Sequence, residues 1–277
     1  MAALIRTNMV SDAVKDRMDV LLAVPQKKHV RSAKSPELRL GSFENEYPVL
    51  FLLHDEASSP AELYQIAAIS RLADETGLLI VLPQGLLSFY TDYAERDVNE
   101  GSPEKTAASN IEGQFSEMRY GSFLLDTVNF VRNTFPVSKE REKTFIGGIG
   151  MGGFGALKCA AANPALFSAA VSISGITDLQ WLMDHDLGRG EQFSAIFGGL
   201  QAMGENDLAG SFARLSGTAK GPKVLQIWQS SEERAAMNES FREKMQGVYP
   251  CYEAREKEDS RDWHYIESAL REAADWL

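Results

Sequence analysis

Several features are scarce in this 277-residue chain, and each scarcity excludes a class of protein. It has only two cysteines, Cys159 and Cys251, without metal-ligand or C-x-x-C spacing, so both are expected to be reduced and structural, with no metal site. Acidic residues outnumber basic ones by 39 to 28, and the net charge of −11 disfavours nucleic acids and anionic membranes as partners.

Long hydrophobic segments are also missing. No stretch approaches eighteen apolar residues, and charges interrupt the first twenty residues where a signal peptide would have an apolar core. A cytoplasmic location without membrane contact is therefore the prediction. The hydrophobic fraction of 44% and the charged fraction of 24% are ordinary for a globular protein.

Short apolar runs alternate with helix-periodic segments through most of the chain. Such runs are typical of strands buried on both faces of a parallel sheet. The predicted strands are Met18–Val24, Pro48–Leu53, Leu78–Pro83, Thr144–Gly148, Ala169–Ser174 and Lys223–Trp228, and the predicted helices are Pro60–Thr76, Tyr120–Thr134, Gly153–Ala162 and Trp263–Leu277. The alternation predicts one α/β domain over residues 1–277, with a mostly parallel central sheet and helices on both faces.

Two further segments have no sustained periodicity. The polar stretch Gln84–Gln114 is predicted to form a long surface loop, and Gly188–Ser211 a small cap-like insertion. Ligands of mostly parallel sheets bind beyond the carboxyl ends of the strands, so both segments are expected to lie near a binding cleft.

A glycine-rich turn, Gly148-Ile149-Gly150-Met151-Gly152, joins a predicted strand to a predicted helix. This is the context in which G-x-S-x-G forms the nucleophile elbow of α/β-hydrolases, with glycine here in the place of serine. An ordinary strand-to-helix turn, or one that cradles a phosphate, is the alternative. The turn does not fit a phosphate-binding P-loop, because Lys158 falls well inside the helix.

The residues around this turn resemble one family of α/β-hydrolases. The run T-F-I-G-G-I-G-M-G-G-F-G-A-L-K, residues 144–158, is similar to the F-I-A-G-L-S-M-G-G-Y-G-A-L-K elbow of the esterase D, S-formylglutathione hydrolase and tributyrin esterase family. The resemblance extends over about residues 18–277, and its further motifs are Leu52-Leu53-His54, the Ser88–Asp92 loop S-F-Y-T-D, Ser172–Gly175 and Asp262-Trp263.

The resemblance implies a serine-esterase site in which several positions are changed. The nucleophile position is Gly150, which has no side chain. The N–H group of Met151 at the helix N-terminus is implied as one oxyanion donor. The second oxyanion donor of the family directly follows the histidine of L-L-H-G, and that position is Asp55 here, where a carboxylate is expected to repel a developing oxyanion.

The acid and base positions also differ from the family pattern. Spacing places Glu232 on the family's acid, although Glu232 and Glu233 could instead be a solvated pair at a strand end. Arg261 stands at the histidine position, and a guanidinium cannot act as a base near neutral pH. His264 follows one helical turn later, where packing or solvent contact is the simpler interpretation.

The resemblance further implies that His54, Tyr90 and Asp92 border the substrate and that no cofactor is needed. The leading hypothesis is a pseudo-esterase that binds a small molecule or has a regulatory role. In it, Arg261 pairs with Glu232 or holds an anionic ligand together with the Met151 N–H. The alternatives are an active carboxylesterase on short-chain acyl esters, and a structural protein that forms homo-oligomers through a sheet edge or the cap-like insertion.

Overall fold

The computed structural model describes residues 2–26, 46–93, 118–185, 193, 196–198, 206–218, 220–231, 233–258 and 263–277. Eight strands form one sheet in the order β1-β2-β4-β3-β5-β6-β7-β8. They are β1 (Ala3–Ser11), β2 (Asp16–Val24), β3 (Val49–Leu53), β4 (Leu79–Pro83), β5 (Thr144–Ile149), β6 (Ala169–Ile173), β7 (Lys223–Gln229) and β8 (Tyr252–Lys257). Strand β2 pairs antiparallel with β1 and β4, and every other pair is parallel.

Helices cover both faces of this sheet, as predicted. They are α1 (Pro60–Ile66), α2 (Ile69–Thr76), α3 (Tyr120–Thr134), α4 (Met151–Ala162), α5 (Leu179–His185), α6 (Leu208–Leu215), α7 (Ala235–Val248) and α8 (Trp263–Trp276). Alternate strand residues divide the core into two layers, because successive side chains of a strand point to opposite faces. Phe51 packs in the layer of α3, α4 and α7, and Leu52 in the layer of α1, α2 and α8.

The six predicted strands and four predicted helices are confirmed, with shifts of a few residues at their ends. The predicted helix Pro60–Thr76 is divided into α1 and α2, because Ala68 adopts a left-handed conformation with φ of 48°. Gly77 ends α2 with φ of 73°, as its position predicts. Residues 94–117, most of the predicted cap-like insertion, Glu232 and Arg261 lie outside the described residues.

Glycines let helix α4 lie directly against the ends of the central strands. A Cβ atom added to Gly152 would lie 2.8 Å from the carbonyl oxygen of His54 and would overlap that of Leu53. Helix α4 is apolar apart from Lys158, and nine of its twelve residues are buried. The close approach fixes the first turn of α4 beside the carboxyl end of β3.

We expect Gly152→Ala to destabilise the protein by about 1–3 kcal/mol, because neither carbonyl group can move away without displacing β3. Gly247→Ala is the matched control, since a Cβ atom there meets nothing within 4 Å and alanine favours helix α7. That control should stabilise the protein by about 0.5–1 kcal/mol. Urea unfolding measures both changes, and equal effects at the two positions would show that this helix–strand contact is loose.

Candidate active site

The turn at Gly150 forms a sharp elbow between β5 and α4. Gly150 has φ of 53° and ψ of −116°, a conformation that side chains disfavour. Its N–H donates to the carbonyl of Ile173 at 3.0 Å, and its own carbonyl accepts from the N–H groups of Gly153 and Ile176, each at 3.0 Å. The elbow is therefore fixed by β6 and the loop after it, at the carboxyl edge of the sheet.

The Asp55 carboxylate lies over this elbow. Strands β3 and β5 are parallel neighbours with Leu53 opposite Gly148, so the residues that follow each strand emerge side by side. Asp55 Oδ1 accepts hydrogen bonds from the N–H groups of Met151 and Glu56, both at 2.8 Å. A Cβ atom built on Gly150 would overlap the Asp55 carboxylate. The carboxylate thus occupies the space into which any side chain at position 150 would project.

The electrostatic environment of Asp55 combines opposing effects. Burial raises the pKa of its carboxyl group above the ordinary value, while the hydrogen bonds from Met151 and Glu56 act to lower it. The Met151 N–H lies at the N-terminus of a twelve-residue helix, where the aligned peptide dipoles favour a negative charge. The N–H that the sequence predicted as an oxyanion donor is already bonded to a carboxyl oxygen of the chain itself.

An ion pair holds the loop that carries Asp55. Glu56 Oε1 lies 3.0 Å from the guanidinium of Arg234, and these side chains are only 12% and 19% exposed. Arg234 immediately precedes helix α7, so the pair joins the loop after β3 to the loop after β7. Water screens such a pair less than one on the open surface. The contact fixes the Glu56 backbone, whose N–H bonds to Asp55.

His54 is buried beneath the same loop as a neutral imidazole. The Gly85 N–H donates to Nε2 at 2.9 Å, so the ring proton is on Nδ1, which donates to the Asp55 carbonyl at 2.8 Å. Burial lowers the pKa of His54 below its ordinary value of 6.5. Both ring nitrogens are thus bonded to backbone groups. Its predicted place at the substrate stays a prediction.

Tyr90 and Asp92 are held within the scaffold of the site. The Tyr90 hydroxyl accepts a hydrogen bond from the His54 N–H at 3.1 Å. The Tyr90 side chain is buried against Gly85 and Gly155, and it fills the space that a Cβ atom on either glycine would need. The Asp92 carboxylate accepts from the N–H of Ser122 at 2.8 Å and from its hydroxyl at 2.7 Å, in the first turn of α3. Substrate contact by either residue remains a prediction.

The structure describes residues near the predicted acid and base positions, but not those positions themselves. Glu232 and Arg261 lie outside the described part of the chain, so their pairing stays a hypothesis. His264 is exposed in the first turn of α8. The next residue, Tyr265, is buried, and its hydroxyl lies 3.1 Å from Ser174 Oγ.

Within the described residues no group of three or more His, Cys, Asp or Glu side chains is placed to hold a metal ion.

Sequence reasoning missed the parts that Glu56 and Arg234 take in the site. The second N–H was expected directly after His54, yet the one that converges with Met151 on a single oxygen belongs to Glu56. No local pattern marks Arg234 as its partner, because 178 positions separate the two residues. The proximity of Asp55 to Gly150, in contrast, follows from the parallel pairing of the two predicted strands that precede them.

Solved structures share this architecture over nearly the whole chain. The substrate-bound fluorophosphonate-binding serine hydrolase F of Staphylococcus aureus matches with a TM-score of 0.79 at 22% identity, covering 99% of this chain and 98% of that one. The S-formylglutathione hydrolase of the same organism matches with a TM-score of 0.71 at 21% identity, covering 100% and 98%. The fold is that of the α/β-hydrolases.

Sequence comparison then gives the family. An acetyl esterase of Caldicellulosiruptor saccharolyticus is 25% identical over 292 residues, covering 99% of this chain and 98% of that protein. The profile of the Esterase family matches residues 17–266. The chain belongs to the Esterase family.

We expect Gly150→Ala to destabilise the protein by about 1–3 kcal/mol through backbone strain, with a further loss from overlap with Asp55. In an Asp55→Ala background the overlap is gone, so the same substitution should cost at least about 1 kcal/mol less. A double-mutant cycle by urea unfolding measures this difference. Gly77→Ala is the control for strain alone, because its φ is 73° and no atom lies within 4 Å of the added Cβ. Additive effects of the two substitutions would contradict the contact.

A second expectation concerns the pH dependence of stability. The pKa of His54 is lower in the folded than in the unfolded protein, so below about pH 6.5 the unfolded state binds more protons and stability falls. His54→Gln retains an acceptor for the Gly85 N–H and does not titrate. The free energy of unfolding of the native protein should therefore decrease relative to this variant as pH falls from 7 to about 5. Parallel pH profiles would show that folding does not lower the pKa of His54.

Proposed function

We propose that this Esterase-family protein is non-catalytic and acts as a binding or regulatory protein for a small molecule. The observation that carries the proposal is the Asp55 carboxylate in the space of a side chain at position 150. Acyl transfer by a serine esterase needs a nucleophile at that position and free N–H donors for the oxyanion. Gly150 provides no nucleophile, and Asp55 already accepts the Met151 N–H at 2.8 Å.

Asp55 does not replace the missing serine in this proposal. Attack by its carboxylate on an ester would give a mixed anhydride, and water would then have to be activated to release it. The adjacent His54 is engaged through both ring nitrogens, and Arg261 at the base position cannot accept a proton. The Asp55 oxygen nearest the elbow is also held by two N–H groups, which reduces its nucleophilicity.

The second candidate is an active carboxylesterase on short-chain acyl esters. Family membership favours it, together with the acetyl esterase to which the chain is 25% identical. In that case the nucleophile and base would come from outside the family positions. Ser174 is one candidate, since it has a left-handed φ of 44° and directly follows Ile173, whose carbonyl accepts the Gly150 N–H.

The setting proposed for this function is the cytoplasm, with a small molecule as ligand. Cys159 is buried in α4, Cys251 is exposed, and both are free, in keeping with a reducing compartment. None of the helices in the described part of the chain is long and apolar enough to cross a membrane. We propose no role for nucleic acid.

We expect the purified protein to hydrolyse p-nitrophenyl acetate at least about 10⁴-fold more slowly than an intact esterase of the family. Incubation with a fluorophosphonate probe should give no covalent adduct by intact-mass spectrometry. Gly150→Ser should lower the melting temperature through strain and overlap with Asp55, without producing turnover. An active family esterase, treated in parallel, is the positive control for both assays.

A series of variants separates the missing parts of the site. Asp55→Gly/Gly150→Ser removes the overlap and should remain inactive for want of a base, whereas addition of Arg261→His should produce measurable turnover and probe labelling. Native turnover that disappears in Ser174→Ala or Asp55→Asn would contradict the proposal and assign catalysis to that residue. Efficient hydrolysis by Gly150→Ser alone would show that Arg261 does not disable the site.

A further inference from the structure

Two backbone N–H groups from separate elements converge on one carboxylate oxygen at the elbow. One belongs to Met151 at the start of α4 and the other to Glu56 in the loop after β3, and each lies 2.8 Å from Asp55 Oδ1. Two N–H donors aimed at one point are the arrangement that stabilises an oxyanion in acyl transfer. We infer that the anion hole of this chain is retained and is occupied by its own Asp55 side chain as a built-in ligand.

The hole needs an anion because α4 has no cap of its own. Gly150 is the residue that precedes the helix, and it has no side chain to accept from the first N–H groups. Asp55 supplies the acceptor from 96 positions away in the sequence. The negative charge also complements the positive end of the helix dipole. The carboxylate therefore does more than fill the space above Gly150.

The attachment of Asp55 to the chain explains why the hole stays closed. A tethered group acts at a high effective concentration, so a free ester carbonyl must compete with an Asp55 oxygen that is already in place. The tether itself is held by the ion pair between Glu56 and Arg234, both largely buried. The inference rests on the proposed function for its site, but it concerns occupancy of the hole and can be tested without an activity assay.

Chemical rescue by formate tests the occupancy. Asp55→Ala should lower the melting temperature by about 2–4 °C, the effect of losing a helix cap in a protein of this size. Sodium formate should then raise the melting temperature of this variant saturably, above the effect of sodium chloride at the same concentration. The native protein should respond to the two salts equally, because its hole is filled.

Asp92→Ala is the matched control for rescue. Its carboxylate is exposed, and among the described residues it accepts hydrogen bonds from Ser122 alone, at the start of α3. This variant should show no preference for formate. Equal stabilisation of the native protein and Asp55→Ala by formate, or a melting temperature unchanged by Asp55→Ala, would overturn the inference.

Asp55→Asn decides the question if Asp55→Ala does not fold. The amide side chain has the same shape, but its oxygen is a neutral and weaker acceptor. In amide NMR spectra, the proton resonances of Met151 and Glu56 should both move upfield from the native protein to this variant, because they share one acceptor. Movement of only one resonance, or of neither, would show that the two N–H groups do not share the Asp55 oxygen. Esterase activity in the native protein would refute the proposed function and leave this result unaffected.

Discussion

The site depends on a carboxylate that bridges two loops at the carboxyl edge of the sheet. Asp55 Oδ1 accepts from Met151 at the start of α4 and from Glu56 beside β3, and in that position it leaves no room for a side chain at residue 150. The glycine and the aspartate therefore depend on each other. Each makes the other tolerable, because the glycine gives space to the carboxylate and the carboxylate caps a helix that the glycine cannot cap.

The scaffold beneath this contact is that of an ordinary α/β-hydrolase. The parallel pairing of β3 with β5 and the close approach of α4 bring the loop and the elbow together. His54 and Tyr90 support the loop from below through hydrogen bonds that need no catalytic chemistry. The fold holds the elbow in place through contacts that need no reacting side chain, and membership of the Esterase family therefore does not by itself assign an esterase activity.

Much of the fold could be predicted from local sequence. The features that could not are the two edge strands of the sheet and the break between α1 and α2. The unbroken apolar runs of β3 and β5 predict buried strands because both of their faces are covered by helices. Strand β8 escaped prediction, since its sequence Y-E-A-R-E-K is mostly charged and only partly buried at one edge of the sheet. Strand β1, at the other edge, exposes Val10 and other apolar residues and shows no regular alternation. The break at Ala68 has no local breaker such as proline.

Some members of the candidate site were predictable from the sequence, but their contacts and the parts of Glu56 and Arg234 were not. The elbow motif marks Gly150, and the strand that precedes His54 marks Asp55. The convergence of Glu56 and Met151 on one oxygen, and the ion pair with Arg234, depend on how loops far apart in sequence meet in space. From the sequence, Asp55 is expected to disfavour an oxyanion by charge repulsion. In the structure it does so more simply, because Asp55 Oδ1 already accepts the two N–H groups that an oxyanion would need.

A high-resolution crystal structure of the native protein, grown with a short-chain ester, would show what lies over Gly150. We expect density for the Asp55 carboxylate there, with one oxygen within hydrogen-bond distance of the N–H groups of both Met151 and Glu56 and no ester oxygen in its place. Asp55 turned away from the elbow, with a water molecule or the ester carbonyl between those two N–H groups, would contradict this expectation.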